Sequence, residues 1–237
     1  MKRISFVGFA LVTLIFQNAT VAAPPQKYQS LSNQEKQLAC QVALARQVPG
    51  LDYLCDNTLP VGRGGLRQSP QSSTLDTELL LIERRPADKN QPSANGRLAD
   101  VYTYDYRSDT LNHSVINLEN NQIMDSEDLK EVQLPLTKNE IDRARSIVSQ
   151  DTILRGLLER EYLKITGKPL QSLDQLEVKA FVFLASSMPG QLNQRSRQCG
   201  LHRCARLVMH TQERIALETA PIIDLSTTTV SQHSTGQ

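Results

Sequence analysis

The sequence predicts an α+β fold, an antiparallel sheet meander with helices packed on one face, and three features carry that expectation. Two capping boxes, Ser32-Asn33-Gln34-Glu35 and Thr137-Lys138-Asn139-Glu140, each stand before a stretch of helical periodicity. The apolar runs from Leu98 onward are joined by very short polar connections, Ser108-Asp109 and Glu119-Asn120-Asn121, which suit hairpins and are too short for the crossovers that parallel strands need, while the turn-rich Pro86 to Gly96 precedes them. Along the chain the order is helix, several strands, helices, several strands, so helices and strands are segregated rather than alternating.

The first box predicts a helix of about 15 residues ending near Pro49-Gly50. From Asp56 to Asp76 the chain is rich in Gly, Pro, Ser and Gln around Gly62-Arg63-Gly64-Gly65, and reads as an exposed loop. Leu79 to Ile82 is an apolar run of strand length. Leu98 to Arg107 follows as a second strand, whose alternation puts Tyr102, Tyr104 and Tyr106 on one face and Val101 and Thr103 on the other. Leu111 to Leu118 and a strand from Gln122 complete the meander.

After the second box, Ile141, Ala144, Ile147 and Val148 form one helical face. Asp151 caps a further helix with a stripe of Leu154, Leu157, Leu158, Tyr162 and Ile165, which Gly167 and Pro169 end. Val178 to Ala185, Ala205 to His210 and Ile222 to Leu225 read as three more strands. This divides the chain into a first α+β half, 24–134, a second, 135–225, and a flexible tail, 226–237. The two halves read equally as an internal duplication or as parts of one continuous sheet.

The first 23 residues have the layout of a secretory signal: Met1-Lys2-Arg3, an apolar stretch from Ile4 to Phe16, then small and polar residues to Ala23. Cleavage is expected before Pro24, with Ala22 as a competing site, and the apolar stretch is short of the ~20 residues that span a bilayer. The expected location is extracytoplasmic, periplasmic or secreted, with no membrane attachment after cleavage. In that oxidising setting Cys40, Cys55, Cys199 and Cys204 are expected to pair. Four thiols allow three connectivities, and proximity favours Cys40 with Cys55 and Cys199 with Cys204.

The formal net charge of +1 falls to about −1 once Lys2 and Arg3 leave with the signal. There is no Trp, and aromatic residues make up 5% of the chain. A near-neutral chain poor in stacking side chains is not expected to bind nucleic acid.

The segments Ala99-Asp-Val-Tyr-Thr-Tyr-Asp-Tyr106, Ser114-Val-Ile-Asn-Leu118, Gln133-Leu-Pro-Leu-Thr137 and Glu140-Ile-Asp-Arg-Ala144, with Val148 and Asp151 beyond, resemble the small N-terminal domains of copper amine oxidases. The likeness covers roughly residues 97–163. It implies a cystatin-like fold, a helix on an antiparallel sheet, here as one or two such halves, placed in that family away from the chemistry. The family's catalytic tyrosine within Asn-Tyr-Asp/Glu and its His-x-His copper ligands have no counterpart in this sequence, so no amine oxidase site is carried over. The Gln-x-Val-x-Gly hairpin of cystatin inhibitors is also unmatched, since Gln47-Val-Pro-Gly50 has a different spacing.

Cys199-Gly-Leu-His202-Arg-Cys204, with His210 downstream, is the densest cluster of chemically able side chains. Free thiolates there, with His202 and His210, would suit a tetrahedral zinc or copper(I) site, whereas oxidised cysteines would leave His202 an ordinary loop residue. Arg195, Arg197, Arg203, Arg206 and Arg214 crowd this region. Asp100, Asp105, Asp109, Glu119, Asp125, Glu127, Asp128 and Glu131 crowd the earlier strands. Such segregation steers charged partners or favours self-association. Tyr102, Tyr104, Tyr106, Arg195, Arg197, Arg203 and Arg206 are therefore the candidate interaction surface, although the tyrosine row reads first as the half-buried face of a sheet and the charged segments as two solvated faces that differ in sign.

No nucleophile, base and acid stand in a recognisable motif, although Ser186, Ser187 and His113 are available to a site assembled by folding. No catalytic residue and no cofactor are expected. The leading expectation is an exported, non-catalytic accessory or interaction protein, binding an unknown protein partner or itself. The alternatives are a periplasmic metal-binding protein using the Cys199–Cys204 region and a hydrolase without a sequence motif.

Overall fold

The computed structural model describes residues 29–47, 55, 77–86, 96–188 and 190–233. The signal segment, the expected helix end at Pro49-Gly50, the loop 56–76 and the last residues of the tail lie outside the described residues. Among the described residues no helix is long and apolar enough to cross a membrane.

The elements follow the predicted order: helix α1 (Asn33–Gln47), strands β1 (Thr77–Arg84), β2 (Leu98–Asp105), β3 (Thr110–Asn117) and β4 (Gln122–Leu129), helices α2 (Lys138–Gln150) and α3 (Thr152–Thr166), then β5 (Glu177–Val182), β6 (Cys204–His210), β7 (Ile222–Asp224) and β8 (Thr229–Gln232). They make two four-stranded antiparallel sheets, each a simple meander in chain order, β1 to β4 and β5 to β8. The alternative of one continuous sheet is thereby set aside. Each half is a helical segment followed by a four-stranded meander, the α+β arrangement that the sequence predicts.

Local chemistry explains most boundaries. At α1 the Ser32 amide donates to Glu35 Oε2 at 2.8 Å while the Glu35 amide donates to Ser32 Oγ at 3.3 Å, closing the capping box. The Thr137–Glu140 box closes in both directions at α2. A single extended residue, Asp151, ends α2 and caps α3, its carboxylate accepting the Leu154 amide at 2.8 Å. Gly167 at φ 70 ends α3 in the left-handed conformation that glycine adopts without a Cβ penalty.

Two predicted strands end early: β2 stops at Asp105 because residues 106–109 turn back into β3 with Asp109 at φ 49, and β5 stops at Val182 ahead of a 3-10 turn at Ala185–Ser187. The predicted flexible tail is corrected more substantially. Thr229–Gln232 is a strand, paired to β7, with Val230, Ser231 and Gln232 buried. Its Ser, Thr and Gln composition hid it, because ladder hydrogen bonds come from the backbone and need no apolar side chain.

Three apolar clusters follow from the layering. The largest joins both halves, with Tyr104, Tyr106 and Leu111 from the first sheet, Leu154, Leu158 and Tyr162 from α3, and Leu207, Met209 and Ile223 from the second sheet. A second lies between α1 and the other face of the first sheet, where Ala39, Ala43 and Leu44 meet Ile82, Val101 and Ile116. A third, small one packs Phe183, Leu192 and Ile222 around the Cys199–Cys204 pair. Both faces of the first sheet are therefore covered, and the shared core makes the two halves one packed unit.

Leu158 is fully buried in the shared core. Leu158→Ala is expected to lower the unfolding free energy by about 2–5 kcal/mol, the cost of a large-to-small change in a packed interior. Urea titration followed by circular dichroism checks this, and an unchanged midpoint would show that the shared core is not formed.

Candidate functional site

The residues with the strongest chemical character converge where the two sheets meet. Arg203, just before β6, and Glu140, in the first turn of α2, form an ion pair with no exposed side-chain surface on either partner. Arg203 Nε and Nη2 donate to the two Glu140 oxygens, the Nη2 contact at 2.9 Å. Its remaining donors reach the segment between the halves: Nη1 to Gln133 Oε1 at 3.1 Å and to the Leu134 carbonyl at 3.0 Å, and Nη2 to the Pro135 carbonyl at 3.1 Å. A buried guanidinium is tolerated only with this degree of satisfaction. The same guanidinium lies 5.5 Å from the centre of the Tyr104 ring.

Around this pair a second carboxylate is held the same way. Glu78 of β1, 3% exposed, accepts from Thr137 Oγ1 at 2.7 Å and from Arg143 Nη2 at 3.2 Å. The Tyr106 hydroxyl lies between both carboxylates, 2.8 Å from Glu140 and 3.0 Å from Glu78, and the Arg143 guanidinium lies 4.4 Å above its ring. Two carboxylates thus face two guanidinium groups, and the cluster is electrically balanced. Burial alone would raise the Glu140 pKa, but the Arg203 guanidinium and the Thr137 amide outweigh it and hold the carboxyl below its ordinary value. Burial and the neighbouring carboxylates push the Tyr106 hydroxyl far up, so it stays a donor.

A second junction lies beside the first. Asp109, in the β2–β3 turn, accepts from the Tyr104 hydroxyl at 3.0 Å and from Ser226 Oγ of the β7–β8 turn. His202 Nδ1 is 2.8 Å from Asp224 Oδ2, and its Nε2 is 3.8 Å from Asp109 Oδ2. Asp224 also accepts the Ser226 and Thr227 amides, each at 2.9 Å, which shapes the turn that reaches Asp109. Desolvation would lower the His202 pKa, but the Asp224 and Asp109 carboxylates raise it further than burial depresses it.

The cysteines are paired Cys40–Cys55 and Cys199–Cys204, the connectivity that proximity favours. With both Cys199 and Cys204 sulfurs bonded to each other, neither is a thiolate ligand. His202 and His210 stand beyond opposite ends of the contacts a metal could span, since β6 between them extends about 20 Å at ~3.3 Å per residue. Among the described residues no group of three or more His, Cys, Asp or Glu is arranged to hold a metal ion.

The candidate interaction surface divides. Tyr104, Tyr106 and Arg203 are buried at 1%, 7% and 0% exposure, which removes all three from an exposed interaction surface and, for the tyrosines, fits the reading as a covered sheet face. They are inside because the row of ring faces meets the second half rather than solvent. Tyr102 is half-buried, stacked on His113 at 4.5 Å. Arg206 is half-buried with Nη1 3.3 Å from Met188 Sδ, while Arg195 and Arg197 are exposed. The acidic side remains open: Asp125, Glu127 and Asp128 are exposed along β4, an edge strand of the first sheet. His113 is held between Asp100 at 2.8 Å and Glu127 at 3.1 Å on the first sheet, whereas Ser186 and Ser187 lie in the turn after β5, so these three form no catalytic set.

The sequence offers Glu78, Gln133 and Arg143 no role as site residues, and Glu140 only one in a capping box and in the family resemblance. The one available signal was a carboxylate, Glu78, abutting the apolar run of β1. A cavity of about 390 Å³ lined by Tyr162, Thr166, Lys168, Gln175, Gln212 and Glu213 includes none of the junction residues.

No model of a known protein family matches the sequence, and no curated protein matches it. Its fold is similar to that of a copper-containing benzylamine oxidase from Hansenula polymorpha, with a TM-score of 0.53 and 14% identity, over 88% of this chain and 30% of that one. The chain therefore spans under a third of the oxidase's length, and the likeness is one of fold.

Two predictions follow from the junction. Arg203→Met leaves Glu140 buried without its cation and is expected to cost about 3–5 kcal/mol of unfolding free energy. Glu140→Gln/Arg203→Met is expected to lose less than Arg203→Met alone, because Gln keeps the capping box and leaves no orphan charge. Equal losses in urea titrations would contradict the pairing. For His202 the folded-state pKa lies above the ordinary 6.5, so its contribution is complete below that value and is lost as pH rises through the raised one. Urea midpoints measured from about pH 5.5 to about pH 8.5 should show this slope, and His202→Asn should remove it.

Proposed function

We propose that this chain is an exported, non-catalytic accessory protein that acts by binding a protein partner or a second copy of itself. One observation carries the reading: the side chains best suited to chemistry, Glu140, Arg203, Glu78 and Tyr106, are buried at the sheet junction and hydrogen-bonded there to one another or to their neighbours. Two fully paired cysteine couples among the described residues support an oxidising compartment. The likeness to 30% of an oxidase chain, together with the sequence resemblance over residues 97–163, supports derivation from the small N-terminal domains that in that family lie apart from the active centre.

What remains available for recognition is the surface. Exposed Asp125, Glu127 and Asp128 mark one edge of the first sheet, and exposed Arg195 and Arg197 mark the second half. Opposed charges of this kind accelerate encounter and orient partners, with an effect that salt screens within ~8 Å at physiological ionic strength.

The test uses the mature chain immobilised against the extracytoplasmic fraction of its native cell, with sedimentation of the purified chain alongside. Wild type should retain a specific partner or self-associate. Either Arg195→Glu/Arg197→Glu or Asp125→Lys/Asp128→Lys should weaken that association about tenfold or more. A monomer that retains nothing, or an association indifferent to both reversals, would overturn the reading.

A further inference from the structure

We infer that the Cys199–Cys204 disulfide is an oxidation-dependent clasp, whose closure presents Arg203 and His202 to the first half and so completes the docking of the two sheets. The setting in which it closes rests on the export reading above; the mechanical coupling does not.

The bond closes a short loop, with a sequence separation of 5. Gly200 at φ 116 makes its turn, and the Gly200 amide donates to the His202 carbonyl at 3.0 Å. The two residues next to Cys204 on its N-terminal side tie the second sheet to α2 and also reach the first half. Arg203 reaches Glu140 of α2 and, at the end of the first half, Gln133 Oε1 and the Leu134 carbonyl, while His202, bonded to Asp224 of β7, stands 3.8 Å from Asp109 of the β2–β3 turn. Gln133, in the segment between the halves, holds the loop twice, donating to the Gly200 carbonyl at 3.1 Å and accepting from Arg203 Nη1 at 3.1 Å. The Cys204 end is further anchored in β6, since the Phe183 amide donates to the Cys204 carbonyl at 2.9 Å. The Cys199 end follows a 3-10 turn at Ser196–Gln198, its carbonyl accepts from the Ala185 amide at 2.8 Å, and it packs with Phe183 and Leu192. The sulfur link joins this end of the loop to the start of β6.

With the bond open, the loop gains conformations that keep Arg203 in water, and Glu140 is left without its cation. A buried carboxylate without a cation is strongly disfavoured, so loss of Arg203 opposes docking of the α2 N-terminus and the linker. Cys40–Cys55 ties α1 and belongs to the apolar cluster between α1 and the first sheet, whose named members include none of the junction residues, so it provides the internal contrast.

The closing step is a thiol–disulfide exchange. The two thiols give up two protons and two electrons, one Sγ–Sγ bond forms, and an external disulfide of the oxidising compartment is reduced to a dithiol. In a reducing cytoplasm the thiols persist, so the docked form is completed only after export.

Hydrogen exchange read by mass spectrometry on the full chain tests the coupling, comparing wild type with Cys199→Ser/Cys204→Ser and Cys40→Ser/Cys55→Ser. Opening the first bond should speed exchange about tenfold or more over residues 133–144 and at the start of β6, while β2 and β3 keep their protection. Because the chain has no Trp, near-ultraviolet circular dichroism reports its tyrosines, and the signal should fall with it. In a Glu140→Gln/Arg203→Met background the serine pair should add no further loosening, since the residue through which the clasp acts is gone. Unchanged exchange at 133–144, uniform loss of protection across both sheets, an equal effect from the Cys40/Cys55 variant, or an undiminished effect in the Arg203→Met background would each overturn the clasp. Fractionation finding the unprocessed chain reduced in the cytoplasm would instead remove the export reading and leave the measured coupling standing.

Discussion

The Glu140–Arg203 ion pair sets the terms for the rest of the molecule. Two charges without exposed surface survive only if every donor and acceptor around them is matched, and that requirement reaches into four separate parts of the chain. It needs the Thr137 amide at the helix cap, the Tyr106 hydroxyl at the exit of β2, and the carbonyls of Leu134 and Pro135 in the linker. It also needs the short loop that delivers Arg203. A sheet displaced by a few ångströms would strand a charge, so the pair, with Tyr106 of the first half bonded to Glu140, specifies one relative placement of the halves more than it adds to their adhesion. The adhesion comes from the shared apolar core, where Tyr104 and Leu111 meet Leu158 and Leu207.

The polar cluster and the apolar core divide the work in a way that suits a protein that recognises rather than reacts. Groups that would carry acid, base or electrophilic chemistry in a cleft are turned inward and balanced. The outward surface keeps the unbalanced charge: acids along β4, and Arg195 and Arg197 on the second half. Acidic side chains on an exposed edge strand also oppose pairing of that edge with a copy of itself. The resemblance to part of an amine oxidase is one of fold.

Much of the frame was legible because its signals are local. Both capping boxes, the Asp151 cap, the Gly167 stop and the hairpin connections act within a few residues, and each appears at its expected position. The cysteine pairing was legible for the same reason, with separations of 15 and 5. The junction was not. Arg203 meets Glu140 across 63 residues, Arg143 meets Glu78 across 65, and Ser226 meets Asp109 across 117. No periodicity links residues so far apart, and a charged residue written in the sequence has the same letter whether it faces water or a partner. The tyrosines could read as a binding face because alternation tells which side of a strand a residue takes but not what covers that side, and Arg203 because it stands in a local surplus of arginines.

By itself the sequence determined the fold class, the order of the helices and of the first seven strands, the start of α1 and the limits of α2 and α3, and it favoured the pairing of neighbouring cysteines, because propensity, capping and short loop closure depend on adjacent residues. Tertiary structure decided that there are two sheets rather than one, that the final Ser- and Thr-rich segment is a strand, and that the most reactive side chains are inside. Those outcomes depend on which surfaces exclude water from one another, and water is excluded only when distant parts of the chain have met.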